Sequence, residues 1–335
     1  MKRTGQLFDL ILEYDNICLA VHKAARGKRD RKEAQAWLTD CNNKVQRMIE
    51  QLGSGKFSFG HYHQFRVYDP KERLITAPSF EERIVHHAIM NIVEPHLERW
   101  LISDTYACRL KKGRLRCLAR AREFASTNAW FVKLDVRKYF DSISHCKLLE
   151  LWQRKFKDTR LFHLFQRIIA AYQSGPGTGL PIGSLTSQHL ANYYLSWLDR
   201  FVKEHLQVAG YVRYMDDMAL WVADPAQARA VIQGVIEFLE TELHLVPKVS
   251  PYANRTLHGM DFLGCRVYRS HVKLNRVSRV RIRRKWLKLN QDFQAGNLSE
   301  SDFQHQATAL TAFSRADGVS SWHFRQSLLQ SEIGK

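Results

Sequence analysis

Tyr211-Val-Arg-Tyr-Met-Asp-Asp-Met-Ala-Leu-Trp-Val222 places the strongest constraint on what this chain can fold into. Two β-compatible runs, Tyr211–Tyr214 and Met218–Val222, flank adjacent carboxylates at Asp216 and Asp217. Successive side chains of a straight strand point to opposite faces, so two Asp in mid-strand would drive one into the core. The stretch therefore predicts a tight hairpin with carboxylates at its tip. An ordinary surface turn is one outcome, because Asp is a common turn residue. The other is a site for a divalent cation, since hard cations such as Mg²⁺ take carboxylate and phosphate oxygens. The apolar flanks would bury the hairpin and hold such a tip in place. The hairpin alone leaves both readings open.

A second stretch, Trp130-Phe-Val-Lys-Leu-Asp-Val-Arg-Lys-Tyr-Phe-Asp-Ser-Ile143, runs an apolar strand, Trp130–Leu134, straight into Asp135. A carboxylate at the end of a buried strand is costly unless it is paired or bound to metal. Asp135 thus reads as functional rather than as a cap, whereas Asp141 reads as the start of a local turn. Helices are predicted over Cys146–Ala171, then a flexible loop, Gln173–Gly179. Leu180-Pro-Ile-Gly-Ser-Leu-Thr-Ser-Gln188 follows as a small-residue turn entering an amphipathic helix that runs to about His205. Such a turn lets backbone approach a ligand closely. Beyond the Asp-Asp hairpin come a helix over Pro225–Leu243, an extended Leu245–Ser250, and a second hairpin from Gly259–Tyr268 and Val272–Leu274.

Charge narrows the partner. The formal net charge is +18, so the surface attracts polyanions, with nucleic acid the default. An anionic membrane is the competitor, but the apolar runs are far too short to span one. Nothing in Met1–Asp15 reads as a signal peptide, and six scattered cysteines without a CxxC pair read as reduced thiols in a cytosolic protein. With 335 residues, 45% hydrophobic, the chain can bury a sizeable core as one multi-lobed unit or two to three subdomains.

Residues 1–52 read as helical in two parts, Gly5–Ala25 and Asp30–Leu52, joined by a basic patch from Lys23 to Lys32. By default that patch is a solvated linker, though its charge suits phosphate contact. Gly53-Ser-Gly-Lys56 is a turn rather than a phosphate loop: position 50 is Glu, and Phe57 stands where Ser or Thr is required. His61–Ala77 reads as strand, turn, strand, with Lys71 and Arg73 at the tip. Ser79 caps a helix from Phe80 to about Leu101, with Glu82 three positions on. His86, His87 and His96 lack metal-ligand spacing and read as packing or RNA-facing residues. Another helix is predicted over Leu115–Ser126. The tail from Ser278 is helical and opens with Arg279, Arg281, Arg283, Arg284, Lys285 and Lys288. Such a run is ordinarily a solvated face; beside a polymerase-like core it would grip a duplex backbone.

The order of these features carries a resemblance. An Asp ending a strand, a Pro-x-Gly turn with Ser before a helix, Tyr-Met-Asp-Asp in a hairpin, then Phe-Leu-Gly resembles the palm of reverse transcriptases, from about Lys56 to Tyr268. The resemblance implies an α+β right-hand polymerase. Residues 1–128 would form N-terminal helices and fingers, 129–145 palm, 146–179 fingers and palm helices, 180–268 palm, and 269–335 a basic helical thumb. It also implies roles: Asp135, Asp216 and Asp217 as catalytic metal ligands, with the Val136 carbonyl beside them. Phe140 would be a steric gate against the ribose 2′-hydroxyl, Lys71 and Arg73 triphosphate contacts, Lys248 a loosely placed aid to pyrophosphate departure, and Phe262-Leu263-Gly264 the primer grip. The implied cofactor is a pair of Mg²⁺ ions, for which Mn²⁺ can substitute, and the implied partners are dNTPs, template RNA and the RNA–cDNA duplex.

One departure is informative. Where most reverse transcriptases carry Pro-Gln-Gly and then Ser-Pro, this chain has Pro181-Ile182-Gly183 and Ser187-Gln188. The Ile-Gly-x-x-x-Ser-Gln pattern resembles the enzymes of diversity-generating retroelements, as do Thr105-Tyr-Ala-Cys-Arg109 and a compact chain without an evident maturase, endonuclease or RNase H addition. That resemblance implies error-prone cDNA synthesis, Ile182 and Gln188 at the nucleotide, a small basic accessory protein, and a bacterial or phage-encoded cytoplasmic enzyme. An antiphage-defence reverse transcriptase and a catalytically silent RNA-binding protein are the rival expectations.

Overall fold

A computed structural model of the chain describes residues 3–68, 72–248, 251–312 and 321–330. In chain order its elements are α1 (Phe8–Leu12), α2 (Tyr14–Ala25), α3 (Lys32–Thr39), α4 (Cys41–Gly53), β1 (Tyr62–Tyr68), β2 (Glu72–Pro78), α5 (Phe80–Glu98), α6 (Arg114–Thr127), β3 (Trp130–Leu134), α7 (Tyr139–Ser142), α8 (His145–Lys155), α9 (Thr159–Ala170) and α10 (Leu185–Arg200). There follow β4 (Gly210–Tyr214), β5 (Asp217–Val222), α11 (Pro225–Glu237), β6 (Tyr252–Arg255), β7 (Met260–Phe262), β8 (Cys265–Val267), β9 (Val272–Leu274), α12 (Arg276–Gln294), α13 (Glu300–Ala312) and α14 (Trp322–Gln330). Helices mixed with antiparallel sheets make this an α+β fold. The chain divides into two compact units, each built from three chain segments.

Unit 1 comprises residues 1–103, 136–201 and 235–249. Its β1–β2 hairpin pairs Tyr62 with Pro78 through Tyr68 with Glu72. The hairpin runs into α5, whose first turn is closed as its sequence predicts. The Ser79 hydroxyl accepts from the Glu82 N–H, a cap worth about 1 kcal/mol. The Glu82 carboxylate does not reach back to Ser79 as a reciprocal cap would; it accepts from the His61 N–H at 2.6 Å and ties the hairpin to the helix. Trp152, stacked on Phe156 and touching Phe165, fills the space between α8 and α9.

Unit 2 comprises residues 104–135, 202–234 and 250–335. Its four-stranded antiparallel sheet has the order β4-β5-β3-β6. All five residues from Met218 to Val222 are buried, which is why this strand reads as an unbroken apolar run rather than an alternation. Helix α6 packs on β4 and β5 through Leu118, Ala121 and Ala125. The same core takes in Ile282 and Trp286 of α12 and Leu328 of α14.

Several sequence expectations need correction. The two N-terminal helical stretches are four helices, broken at Glu13 and Asp40, where the backbone leaves helical geometry. The second hairpin is a three-stranded meander, because Gly259–Tyr268 itself folds back on a turn at Leu263-Gly264 before β9 joins. Strand β6, paired to β3, had no counterpart in the sequence reading. Its residues, Tyr-Ala-Asn-Arg, lie at the sheet edge with little burial, so they carry no apolar period. Lys71 lies outside the described residues, as do Asp69, Pro70 and Ser250.

Candidate active site in unit 2

The carboxylate pair resolves the sequence dilemma by splitting between turn and strand. Tyr214 pairs with Asp217, so Met215 and Asp216 form a two-residue loop and Asp217 opens β5. Met215 has a φ of 59° while Asp216 stays negative, the pattern of a II′ hairpin, whose first loop position ordinarily favours Gly. A non-glycine residue there costs about 1–2 kcal/mol. A buried arginine holds it. Arg213 is fully buried, and its Nη1 donates to the Met215 carbonyl at 2.9 Å. Its backbone N–H donates to the Asp104 carbonyl, and its own carbonyl accepts from the Tyr106 N–H. An Arg in the middle of Tyr211–Tyr214 was the available signal, since a buried guanidinium needs a fixed partner.

Register brings the third carboxylate to the same end of the two central strands, the carboxylate edge. Leu134 pairs with Met218 and Lys133 with Ala219, so the next position, Asp135, falls opposite Asp217. Asp135, Asp216 and Asp217 are each half-buried. Lys133 is the diagonal cross-strand neighbour of Asp217 on one face, and its ammonium contacts the Asp217 carboxylate. The same ammonium sits 5.2 Å from the centre of the Phe262 ring and 3.3 Å from the Leu134 carbonyl. Lys133 therefore joins the carboxylate edge to the Phe262-Leu263-Gly264 turn, a role that its place as one polar residue of an apolar strand does not signal.

That turn is itself built for close approach. Phe262 pairs with Cys265 across Leu263 and Gly264, both with positive φ (49° and 74°), the signature of a I′ turn. The φ of 74° at Gly264 favours Gly, and a Cβ there would lie 2.7 Å from Arg114 Nη2 and 2.8 Å from Ser278 Oγ, so any other residue would displace those two side chains. The Arg114 guanidinium donates twice to the Leu263 carbonyl, at 2.9 and 2.5 Å. Burial lowers the Arg114 pKa and pushes the Cys265 thiol up to about 11, keeping that thiol protonated. From here α12 carries the basic residues onward, with Arg279, Arg283, Arg284, Lys285 and Lys288 on its exposed sides and Arg281 half-buried.

The donor set at the carboxylate edge is oxygen only, and Asp217 already attracts a cation, Lys133. Both features suit a hard divalent ion. Among the described residues no three His, Cys, Asp or Glu side chains are gathered closely enough to hold a metal by themselves.

The remaining candidates belong to unit 1. Val136 is buried and bridges Pro247, and Arg137 donates to the Val246 carbonyl, so the extended run before Lys248 is held by β-type pairing. Lys248 itself is exposed. Phe140 is half-buried in α7, and its carbonyl accepts from the Leu180 N–H at 2.8 Å. Ile182 accepts from the Thr76 N–H at 2.7 Å. Gly183, at φ 125°, lies so near β2 that a Cβ would sit 3.0 Å from Ile75 Cγ2 and 3.1 Å from the Thr76 carbonyl. Unit 1 thus brings the Pro-Ile-Gly turn, Phe140 and the hairpin bearing Arg73 into one assembly. Gln188 lies one turn into α10, half-buried.

Beneath this turn His86 is fully buried with Nδ1 3.1 Å from the Ser184 hydroxyl, while Nε2 has no partner. Burial, then neighbouring His87, holds its pKa down to about 3; burial, Arg83 and Lys23 hold His87 down to about 4. Both are neutral in the fold yet would take a proton below about pH 6.5 once unfolded. Stability is therefore complete above pH 6.5 and falls as pH drops from there towards 3–4, by at most about 1.4 kcal/mol per pH unit for the buried His86 and by less for the partly exposed, solvent-screened His87. Unfolding free energies from urea titrations at pH 7.5 and 5.5 should differ by about 1–3 kcal/mol, and His86→Asn should remove a good part of that difference. An unchanged slope in the variant would assign the effect to other groups.

The reverse transcriptase (RNA-dependent DNA polymerase) family model matches residues 68–266, more than half of the chain. Protein YkfC of Escherichia coli is 26% identical over 277 residues, covering 67% of this chain and 71% of that protein. Group II intron-encoded protein LtrA of Lactococcus lactis subsp. cremoris is 29% identical over 173 residues, 48% of this chain and 28% of LtrA. The putative COX1/OXI3 intron 1 protein of Saccharomyces cerevisiae is 23% identical over 173 residues, 49% of this chain and 21% of the relative. The chain thus spans well under a third of the length of two of these three relatives. No described helix is long and apolar enough to cross a membrane.

Proposed function

Because the chain belongs to the reverse transcriptase (RNA-dependent DNA polymerase) family, we propose that it copies a noncoding template RNA into cDNA, with frequent errors, in a diversity-generating retroelement. The observation that carries the polymerase reading is the β3–β5 register, which sets Asp135 opposite the Asp216-Asp217 turn at one end of the two central strands. In this reading the three carboxylates hold two Mg²⁺ ions, or Mn²⁺ in their place. When bound, the ions supply activation of a primer 3′-hydroxyl and neutralisation of charge on the transferring phosphoryl group.

The chain's own residues do the positioning. Arg213 fixes the Met215 carbonyl and with it the direction of Asp216. Lys133 balances negative charge at the carboxylate edge and braces Phe262 beneath the primer-grip turn. The basic residues of α12 supply duplex phosphate contacts of the kind that dominate nucleic-acid affinity. In unit 1, Phe140 screens against a ribose 2′-hydroxyl, and Arg73, with Lys71, meets the dNTP triphosphate. Residues 1–128 then serve as N-terminal helices and fingers, 129–145 as palm, 146–179 as fingers and palm helices, 180–268 as palm, and 269–335 as the basic helical thumb. A small basic accessory protein is the expected partner.

The retroelement role rests on Ile182. Its side chain cannot hydrogen-bond, so a polar contact available to Gln is missing, and about 1.4 kcal/mol of lost discrimination is a tenfold change in selectivity. Primer extension on a defined RNA template with Mg²⁺ and four dNTPs, followed by product sequencing, tests this. Errors should concentrate opposite adenine, and Ile182→Gln should reduce them by roughly two- to tenfold, the worth of one hydrogen bond. Accurate synthesis by the natural chain would sink the mutagenic role and favour a defence reverse transcriptase; absence of synthesis would favour the silent RNA-binding reading.

A further inference from the structure

His86 lies beneath the Pro181–Ser184 turn and has no direct part in the chemistry proposed above. It stands on α5, about two turns past the Ser79 cap. Its Nδ1 is 3.1 Å from the Ser184 hydroxyl, which is in turn 2.9 Å from the Thr186 hydroxyl. His86, Ser184 and Thr186 are each only 1% exposed, so this chain of polar groups is sealed from solvent.

Two observations single the chain out. The first is at Ser184, which occupies the N-cap position of α10. A serine hydroxyl there ordinarily accepts from an N–H of the first turn, as Ser79 does for α5, yet Ser184 makes no such bond. Its hydroxyl meets His86 instead, so α10 forgoes its side-chain cap for a contact with another helix. The second is the ring itself, whose Nε2 is buried with no hydrogen-bond partner among the described residues. A sealed, unpaired nitrogen is costly. Leu or Phe would fill comparable space without that cost, so what the imidazole adds is its Nδ1 contact. Burial keeps the ring neutral, and Nδ1 can then accept from the Ser184 hydroxyl or donate to it.

What the chain holds is the turn. On one side the Ile182 carbonyl accepts from the Thr76 N–H of β2, and Gly183 lies close against Ile75 and Thr76. On the other side Ser184 is tied to α5 through His86. Helix α5 starts directly after β2, and Glu82 in its first turn holds the His61 N–H. Hairpin and turn therefore take their places from one helix. Without the His86 contact the turn is held from β2 alone.

We propose that His86 is a positioning residue for nucleotide selection, acting through Ser184 to hold the Pro181–Ser184 turn and so fix Ile182 beside the incoming dNTP. The assignment rests on the reading of Ile182 as a nucleotide contact. Hydrogen exchange on the full chain, without nucleotide or metal, tests the positioning alone: His86→Leu should speed exchange of the Thr76 amide about tenfold and leave the amides of α9 unchanged. In single-nucleotide extension on an RNA template it should raise the KM for the correct dNTP about three- to tenfold, the worth of one hydrogen bond, with kcat changed less than about twofold. His86→Asn, whose amide keeps a hydrogen-bonding atom near the place of Nδ1, should restore most of both. Ser184→Ala, a smaller change that serves if His86→Leu does not fold, should reproduce the effect, and the double variant should be no worse than the stronger single one. Unchanged exchange at Thr76, an unchanged KM in a chain that only loses folded fraction, an Asn variant as impaired as the Leu variant, or multiplied effects in the double variant would overturn the proposal. A chain that makes no cDNA yet shows the exchange change in the Leu and not the Asn variant would defeat the catalytic reading and leave the positioning standing.

Discussion

Asp216→Asn should reduce primer extension by about 10²–10³-fold or more while leaving the fold intact. The substitution keeps the side chain's shape and removes its charge, which is what a carboxylate metal ligand contributes. Loss of one strong electrostatic contact to a transition state costs that much in well-studied sites. Asp216 sits in the hairpin loop rather than in the ladder, so no sheet hydrogen bond is lost with it. Asp217→Asn should lose as much activity but also some stability, because it removes the carboxylate charge that the Lys133 ammonium, only 12% exposed, contacts. Asp217 is itself 29% exposed, so solvent screening keeps that cost to about 1–2 kcal/mol. Steady-state extension, a thermal melt and RNA binding separate the two effects. The double variant Asp216→Ala/Asp217→Ala should still bind RNA and make no cDNA; normal synthesis by it would remove these residues from the active site.

Arg213→Ala should destabilise unit 2 by about 3–5 kcal/mol. The arginine is among the largest fully buried side chains, so its removal leaves a cavity lined by the sheet and strips the Met215 carbonyl of its donor. The loop that depends on this bond already holds Met215 at positive φ, and freeing it should let the carboxylate tip relax. Arg213→Lys keeps the charge but cannot reproduce the forked guanidinium, so it should lose less stability and still show impaired synthesis. Denaturant unfolding measured alongside extension by the folded fraction would check both. A melting curve identical to that of the natural chain would show that Arg213 is not what holds the turn.

Much of the candidate site was legible in the residues alone, and the reasons are local. The Asp-Asp turn followed from strand periodicity, the functional reading of Asp135 from the cost of a carboxylate ending an apolar strand, and the Ser79 cap from its side-chain chemistry. What escaped were residues whose importance lies in a distant partner. Lys133 looks like one polar position in an apolar strand until it meets Asp217, 84 residues away. Arg114 looks like the start of an ordinary basic helix until it donates to Leu263, 149 residues away. Strand β6 was invisible because an exposed edge strand needs no apolar face; its place is set by β3, already present to accept it.

By itself the sequence determined that the chain is a basic, mixed α+β protein with a carboxylate hairpin and a family likeness, because composition, strand periodicity and capping act within a few residues. Only the tertiary structure decided that Asp135 stands opposite Asp217, that Lys133 answers Asp217 and underlies Phe262, and that Arg213 props the turn. Those are matters of register and burial between segments far apart in the chain, and no local pattern encodes which two strands will lie side by side.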